Sequence, residues 1–300
     1  MPEQLAGVFP VFQTPYFEDE SIDHHTLERE IHWLFECGAD GVVMAMVSEV
    51  LRLSSEEREA VGKLACRFAE GRGPVVLSVG AESAKVAERF AKHAEDAGAG
   101  AVMAIPPVSV AVGEGELLKY YERILKATGL PVIVQDASGY VGRPMSIEVQ
   151  AKLLAEWGER VLFKPEATPI GPRLTALREA TGGKARVFEG TGGIALVDSY
   201  RRGIVGTMPG ADLVTGIVAL WRALGERDEE KIYRLSLPIS SLVALQNSLD
   251  AFLAVEKYLL VKQGVFRSTV VRGPVGYELD VETRAEVDRL FERMMAAAGQ

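Results

Sequence analysis

A lysine and a glutamate two residues apart are the side chains of this sequence that are best suited to catalysis. Lys164 ends the apolar run Val161-Leu162-Phe163, and Glu166 follows it after one proline. An ammonium group is costly to bury in such surroundings, so it must be paired, neutralised or used in a reaction. Burial favours the neutral amine, which can attack a carbonyl carbon to form a Schiff base. The position alone equally allows a lysine that reaches solvent or pairs with Glu166 or Glu189.

Glu166 is the candidate general acid or base beside this lysine. Residues i and i+2 of an extended segment point to the same side, so its carboxylate should face the same pocket as Lys164. A carboxyl group in a partly apolar site can exchange protons near neutral pH. The structural alternatives are a salt bridge to Lys164 and a solvent-facing acid, and Pro165 could interrupt the alternation.

Further candidates follow other apolar runs. Ser48 and Gln135 are predicted to contact the substrate, with Asp136 as an additional polar partner. Glycine-rich loops can bring backbone N–H groups close to a substrate or cradle a phosphate, although such glycines more often serve tight turns. Two loops of this kind are Gly190-Thr191-Gly192-Gly193 and Gly206-Thr207-Met208-Pro209-Gly210. We predict substrate contacts at Gly190 and Met208.

A parallel sheet must position these residues, because short apolar runs alternate with longer amphipathic segments along the chain. The predicted strands are residues 7–14, 41–46, 74–79, 101–105, 131–135, 161–164, 185–189 and 206–208. Eight units of this kind favour a closed α/β barrel, the (β/α)8 TIM barrel, whose active site lies at the carboxyl ends of the strands.

The C-terminal part of the sequence predicts only helix, at residues 229–263 and 281–298. This extends beyond what eight βα units need, and its apolar faces could pack on the barrel or on another subunit. We assign residues 1–224 to the barrel and 225–300 to C-terminal helices that pack on it, as one structural unit.

Composition and charge exclude several kinds of partner. The 300 residues carry a formal net charge of −9, so no basic surface for nucleic acid is predicted. No run approaches the roughly 18 apolar residues of a membrane-spanning helix, and the first residues lack a signal-peptide pattern. The two cysteines have no paired spacing, and the histidines have no metal-ligand spacing. We expect a cytoplasmic protein that binds a small molecule, with no metal ion, cofactor, nucleic acid or membrane.

Six segments occur in a characteristic order along nearly the whole chain. They are Gly7-Val8-Phe9-Pro10-Val11-Phe12-Gln13-Thr14-Pro15, Gly38-Ala39-Asp40-Gly41-Val42, Ser48-Glu49 with Leu53-Ser54-Ser55-Glu56-Glu57, Gly129-Leu130-Pro131-Val132-Ile133-Val134, Phe163-Lys164-Pro165-Glu166-Ala167-Thr168 and Gly203-Ile204-Val205-Gly206. Together they resemble the dihydrodipicolinate synthase and N-acetylneuraminate lyase family of class I aldolases and dehydratases. In that family the lysine of the sixth strand forms the Schiff base, and Lys164 matches it. The resemblance implies a homotetramer or dimer.

Three positions depart from the family pattern. The family's threonine-rich loop after strand two, which binds the substrate carboxylate and relays a proton, is replaced by Ala45-Met46-Val47-Ser48-Glu49. The family's proton-relay tyrosine on strand five is replaced by Gln135, which cannot act as an acid or base. The segment Ser138-Gly139-Tyr140 stands where the synthases have a carboxylate-binding arginine, which leaves Arg143 as a candidate substitute.

These observations predict a Schiff-base lyase, either an aldolase or a dehydratase, that acts on pyruvate or a 2-keto-3-deoxy sugar acid. The missing tyrosine favours dehydration, with 2-keto-3-deoxy-arabonate as the first substrate to test. One alternative is a barrel that binds a 2-oxo acid without turnover. Two others are 4-hydroxy-tetrahydrodipicolinate synthase, which the lost residues argue against, and a sugar-phosphate aldolase or isomerase that would use the glycine-rich loops.

Overall fold

Parallel strands form a closed barrel in the computed structural model, which describes residues 5–138 and 143–299. They are β1 (Gly7–Val8), β2 (Val42–Met44), β3 (Val75–Ser78), β4 (Ala101–Ala104), β5 (Val132–Asp136), β6 (Val161–Pro165), β7 (Phe188–Glu189) and β8 (Gly206–Thr207). Hydrogen bonds order them as β1-β8-β7 and β2-β3-β4-β5-β6. Parallel bridges from Val11 to Val43 and from Phe163 to Val187 join the two sheets. The predicted (β/α)8 barrel is confirmed.

The first strand is shorter than the predicted 7–14. Its ladder with β8 covers Gly7 and Val8, and beyond it the chain forms only single bridges at Val11. Pro10 has no N–H to donate, which interrupts a regular ladder at this point. The segment still follows the barrel wall, because the N–H of Phe9 donates to the carbonyl oxygen of Thr207 at 2.9 Å.

Helices follow each strand within the described part of the chain. They are α1 (His24–Glu36), α2 (Ser55–Phe68), α3 (Ala84–Asp96), α4 (Glu114–Ala127), α5 (Ile147–Trp157), α6 (Ile170–Ala180), α7 (Leu196–Arg201) and α8 (Val214–Glu226). Side-chain hydrogen bonds to backbone N–H groups determine where several of these helices begin, as in α2. Ser54 Oγ accepts a hydrogen bond from the N–H of Glu57, and the Glu57 carboxylate accepts one from the N–H of Ser54. This capping box begins α2.

The strand residues divide between two apolar clusters. One cluster packs between the strands and the helices and includes Val161 and Phe163. The other fills the barrel interior and includes Leu162, Ile133 and Phe188. Successive side chains of a strand alternate between its two faces, so the residue two positions after Leu162 also points inward. The side chain of Lys164 therefore points into the barrel interior at the carboxyl end of β6.

The C-terminal segment contains α9 (Glu229–Ala244), α10 (Leu249–Lys262) and α11 (Val281–Ala298). Helices α9 and α11 pack against each other and against α8, and α10 lies over the turn that follows β2. The prediction of one helix over residues 229–263 is wrong, because the chain breaks at 245–248 and Ser248 Oγ caps α10 at 3.2 Å from the N–H of Ala251. Among the described residues, no helix combines the length and apolar character needed to cross a membrane.

Candidate active site

A cavity lies at the carboxyl ends of the strands. Lys164, Glu166, Gln135, Gly190 and Met208, all predicted as site residues, line it. The rest of the wall is formed by Val11, Ala45, Met46, Val47, Gly192, Pro209, Gly210, Leu249, Phe252 and Glu256. The structure thus brings residues of β5 and β6, and of the segments that follow β1, β2, β7 and β8, together with residues of α10.

Lys164 and Glu166 form a buried ion pair in this cavity. Lys164 Nζ lies 2.7 Å from Glu166 Oε1, and each residue is only 4% exposed. Gln135 Nε2 donates a hydrogen bond to Glu166 Oε2 at 2.9 Å, so both carboxylate oxygens are engaged. Burial raises the pKa of the Glu166 carboxyl, and the neighbouring Lys164 charge only partly opposes this. A glutamate in this state can exchange a proton with the amine beside it.

Strand register and one glycine account for this arrangement. Gln135 on β5 pairs with Lys164 on β6, and the N–H of Glu166 donates to the Asp136 carbonyl oxygen at 2.9 Å, which extends the pairing beyond Pro165. A β-carbon added at Gly190 would lie 2.7 Å from Lys164 Cε. A side chain at position 190 would therefore displace the lysine from this position.

Glu189 does not pair with Lys164. Its Oε2 accepts a hydrogen bond from Thr207 Oγ1 at 2.7 Å, and its Oε1 accepts from both the N–H and the hydroxyl of Thr191. The loops after β7 and β8 are thereby joined. The negative charge of Glu189 also contributes to the raised pKa of Glu166.

Ser48 and Asp136 do not line the cavity. A short 3₁₀ turn (Met46–Ser48) follows β2 and buries Ser48, whose Oγ donates to the Phe12 carbonyl oxygen and accepts from the N–H of Ala45. Asp136 accepts hydrogen bonds from the N–H groups of Ser138 and Met145 at 3.1 and 2.9 Å. Both polar side chains are thus hydrogen-bonded to backbone groups instead of facing the cavity.

Arg143 is exposed and lines a separate cavity with Pro106 and Val108. It therefore does not approach Lys164. Gly139 and Tyr140, which the family comparison singled out, lie outside the described residues.

Glu256 is a site residue that the sequence reasoning missed. It belongs to α10, is 2% exposed, and its Oε2 accepts a hydrogen bond from Gln13 Nε2. The sequence does contain a signal, since Glu256 and Lys257 are charged residues within an otherwise apolar stretch of α10. Such residues are almost never fully buried unless they are paired.

Lys257 fixes α10 to the barrel. Its fully buried Nζ donates to Glu49 Oε1 at 2.5 Å, to the Thr14 carbonyl oxygen at 2.9 Å and to the Val270 carbonyl oxygen at 2.7 Å. One ammonium group therefore connects the end of the β1 segment, the turn after β2 and the segment after α10. Within residues 5–138 and 143–299, no three His, Cys, Asp or Glu side chains are arranged to hold a metal ion.

The chain matches the model of the dihydrodipicolinate synthetase family over residues 4–294. It belongs to that family. Proteins similar to this chain include a dehydratase, a lyase and several synthases. The chain is 28% identical over 296 residues to L-2-keto-3-deoxyarabonate dehydratase of Azospirillum brasilense, with 96% of this chain and 94% of that protein covered.

Solved structures of the family superpose over almost the whole chain. Dihydrodipicolinate synthase from Rhodopseudomonas palustris is 27% identical with a TM-score of 0.87, covering 97% of this chain and 98% of that one. The sialic acid aldolase of Ruminococcus gnavus is 19% identical with a TM-score of 0.87, covering 99% of each chain, and at this identity shows the common fold alone.

Proposed function

We propose that this family member is a Schiff-base-forming dehydratase of a 2-keto-3-deoxy sugar acid, with 2-keto-3-deoxy-arabonate as the first candidate. The observation that carries the proposal is the contact of 2.7 Å between Lys164 Nζ and Glu166 Oε1, beside a glutamine that cannot relay protons. A base next to the imine nitrogen is also next to C3, where dehydration begins. The similarity to an L-2-keto-3-deoxyarabonate dehydratase over nearly the whole of both chains supports the same choice.

The buried pair supplies both the nucleophile and the base. Glu166 takes a proton from Lys164 Nζ, and the free amine attacks the C2 carbonyl; loss of water gives the protonated imine. The carboxyl returns to its anionic form and removes a proton from C3, so that the electron pair of the C3–H bond forms an enamine. Departure of the C4 hydroxyl with a proton, as water, then completes the elimination.

The loops after β7 and β8 are suited to hold the rest of the substrate. Within the described part of the chain, no arginine lines the cavity. Gly190 and Gly192 present no side chain there, which leaves backbone groups accessible to the substrate carboxylate. The N–H of Met208 is already bonded to the Glu189 carbonyl oxygen at 2.8 Å, so Met208 contributes an apolar wall.

Borohydride trapping tests the nucleophile. The protein is incubated with pyruvate or a 2-keto-3-deoxy sugar acid, reduced and analysed by peptide mass spectrometry, with Lys164→Ala as the control. We expect one adduct, located on Lys164. If no adduct forms at Lys164 with any of these compounds, the Schiff-base mechanism is wrong.

Product analysis and one substitution test the reaction. Glu166→Gln should still form the adduct but lose turnover by about 100- to 10,000-fold, the usual contribution of a general acid or base. Glu230→Gln on the exposed start of α9 is the matched control. Unchanged kcat in Glu166→Gln would remove Glu166 from the mechanism. An adduct without any product would instead favour a non-catalytic binder, and turnover of pyruvate with aspartate semialdehyde would favour the synthase.

A further inference from the structure

Buried carboxyl groups meet behind the wall of the cavity that α10 provides. Glu256 lines the cavity, while Glu30 of α1 is fully buried and Asp212 is 2% exposed after β8. Gln13 connects two of them: its backbone N–H donates to Glu30 Oε1 at 2.8 Å, and its side-chain amide donates to Glu256 Oε2. A β-carbon added at Gly210 would lie 2.5 Å from Glu256 Oε1 and 2.8 Å from Asp212 Oδ1. These two oxygens therefore converge on one point.

The carboxyl groups have too little positive charge around them to be ionised together. The charged groups that act on Glu256 are Asp212, Glu30 and Lys257, and the Lys257 ammonium is already bound to Glu49. Among the described residues, Glu30 Oε2 and Asp212 Oδ2 have no hydrogen-bond partner. Buried carboxylates in this situation hold protons, because an unpaired buried charge costs more free energy than a neutral acid.

The pKa shifts have the direction that this geometry requires. Burial raises the pKa of Glu256 well above its usual range, and the charges of Asp212 and Glu30 raise it further. Burial raises the pKa of Asp212 to about 7, although nearby backbone N–H groups act to lower it. At neutral pH the cluster therefore keeps at least one proton, and Glu256 is the member that faces the cavity.

Glu256 and the catalytic pair enter the cavity from different sides. Lys164 and Glu166 come from β6, whereas Glu256 comes from α10 and lies against Gly210 in the loop after β8. A substrate bound through C2 to Lys164, with C3 beside Glu166, extends its C4 hydroxyl away from that pair. An acid on another wall of the same cavity can meet this hydroxyl. Gln135 cannot protonate it, and the Lys164 nitrogen is bonded to C2 at this stage.

We propose that Glu256 is the general acid that protonates the departing C4 hydroxyl, a role that rests on the dehydration proposed above. After Glu166 has removed the C3 proton, the enamine electron pair forms the C3=C4 bond as the C4–O bond breaks. The oxygen takes the proton of Glu256 and leaves as water. Glu256 regains a proton from solvent and Glu166 releases one, so the balance is one molecule of water lost from the substrate.

Two partial reactions separate this acid from the base. The first is the exchange of pyruvate methyl protons for deuterium in D₂O, measured by NMR. This exchange needs Lys164 and Glu166, but no group leaves the substrate. Elimination from 4-fluoro-2-oxopentanoate releases fluoride, which leaves without a proton, whereas 4-hydroxy-2-oxopentanoate must release water. We expect Glu256→Gln to slow water loss about 100- to 10,000-fold and to keep methyl exchange and fluoride release within about threefold of the wild type.

Gly210→Ala provides a second variant that leaves the carboxyl group in place. The added β-carbon would displace Glu256 Oε1, so the same selective loss of water elimination is expected. Glu230→Gln serves again as the control.

Water elimination that persists in Glu256→Gln, or equal losses of water and fluoride elimination, would overturn the assignment. A wild-type protein that neither exchanges pyruvate protons nor forms the adduct refutes the Schiff-base function itself. Exchange accompanied only by aldol cleavage refutes the dehydration and the acid role together, while leaving the Schiff base intact.

Discussion

Replacement of Gly190 by alanine should disturb the catalytic pair without straining the backbone. The added β-carbon would lie 2.7 Å from Lys164 Cε and 2.8 Å from Glu166 Oε1, whereas ordinary contacts begin at 3.4 Å. The lysine must therefore retreat by about 0.7 Å, the difference between 3.4 and 2.7 Å. Misplacement of reacting groups by about 1 Å can cost 100-fold in rate, so we expect a loss of about 10- to 100-fold in kcat. Overpacking should also lower the free energy of unfolding by about 1 to 3 kcal/mol.

Trapping kinetics and thermal unfolding measure the two effects of Gly190→Ala separately. The rate of adduct formation with pyruvate reports the position of the amine, and the midpoint of unfolding reports the packing. Gly115→Ala is the matched control, because nothing lies within 4 Å of a β-carbon added there in α4. If Gly190→Ala traps pyruvate and turns over substrate within about twofold of the wild type, this reasoning about close packing is wrong.

Two further predictions concern the buried charges. Lys257→Met removes the nearest cation of the buried Glu49 and leaves only Arg52, 3.9 Å away. It should lower the free energy of unfolding by about 3 to 5 kcal/mol in urea titrations, and Lys257→Met/Glu49→Gln should recover part of the loss. A change under about 1 kcal/mol would contradict this. The Asp212 pKa is raised from 3.8 to about 7, so the folded state binds this proton more tightly than the unfolded state does. The stability it contributes is therefore fully present below about pH 4 and lost as the pH rises through about 7, with a slope of up to about 1.4 kcal/mol per pH unit. Asp212→Asn should remove that slope, and equal slopes in both proteins would contradict the assignment.

The barrel and the buried lysine at the end of β6 were accessible from the sequence because both depend on local patterns. Alternating apolar runs define the strands, and the break in apolar character at Lys164 marks the end of β6. The contact between Lys164 and Glu166 also follows from the spacing, since Pro165 does not interrupt the pairing of β6 with β5. Local periodicity is sufficient for such features.

The rest of the site depends on contacts between distant segments. The Ser48 hydroxyl is directed to Phe12 by the 3₁₀ turn, a choice that no local pattern specifies. Glu256 reaches the cavity only because α10 begins anew at Ser248 and lies over the turn after β2. The apolar neighbours of Glu256 in α10 indicate that it is buried, but its position in the cavity depends on the tertiary packing.

The anchoring of α10 by Lys257 also has a consequence for the order in which the protein becomes active during synthesis. A nascent chain that ends before residue 249 already contains all eight strands, together with Lys164 and Glu166. It still lacks the wall formed by Leu249, Phe252 and Glu256. Because chains emerge from the ribosome N-terminus first, the amine is made long before the cavity that confines its substrate. The cavity is therefore complete only after α10 has been translated and has docked on the barrel.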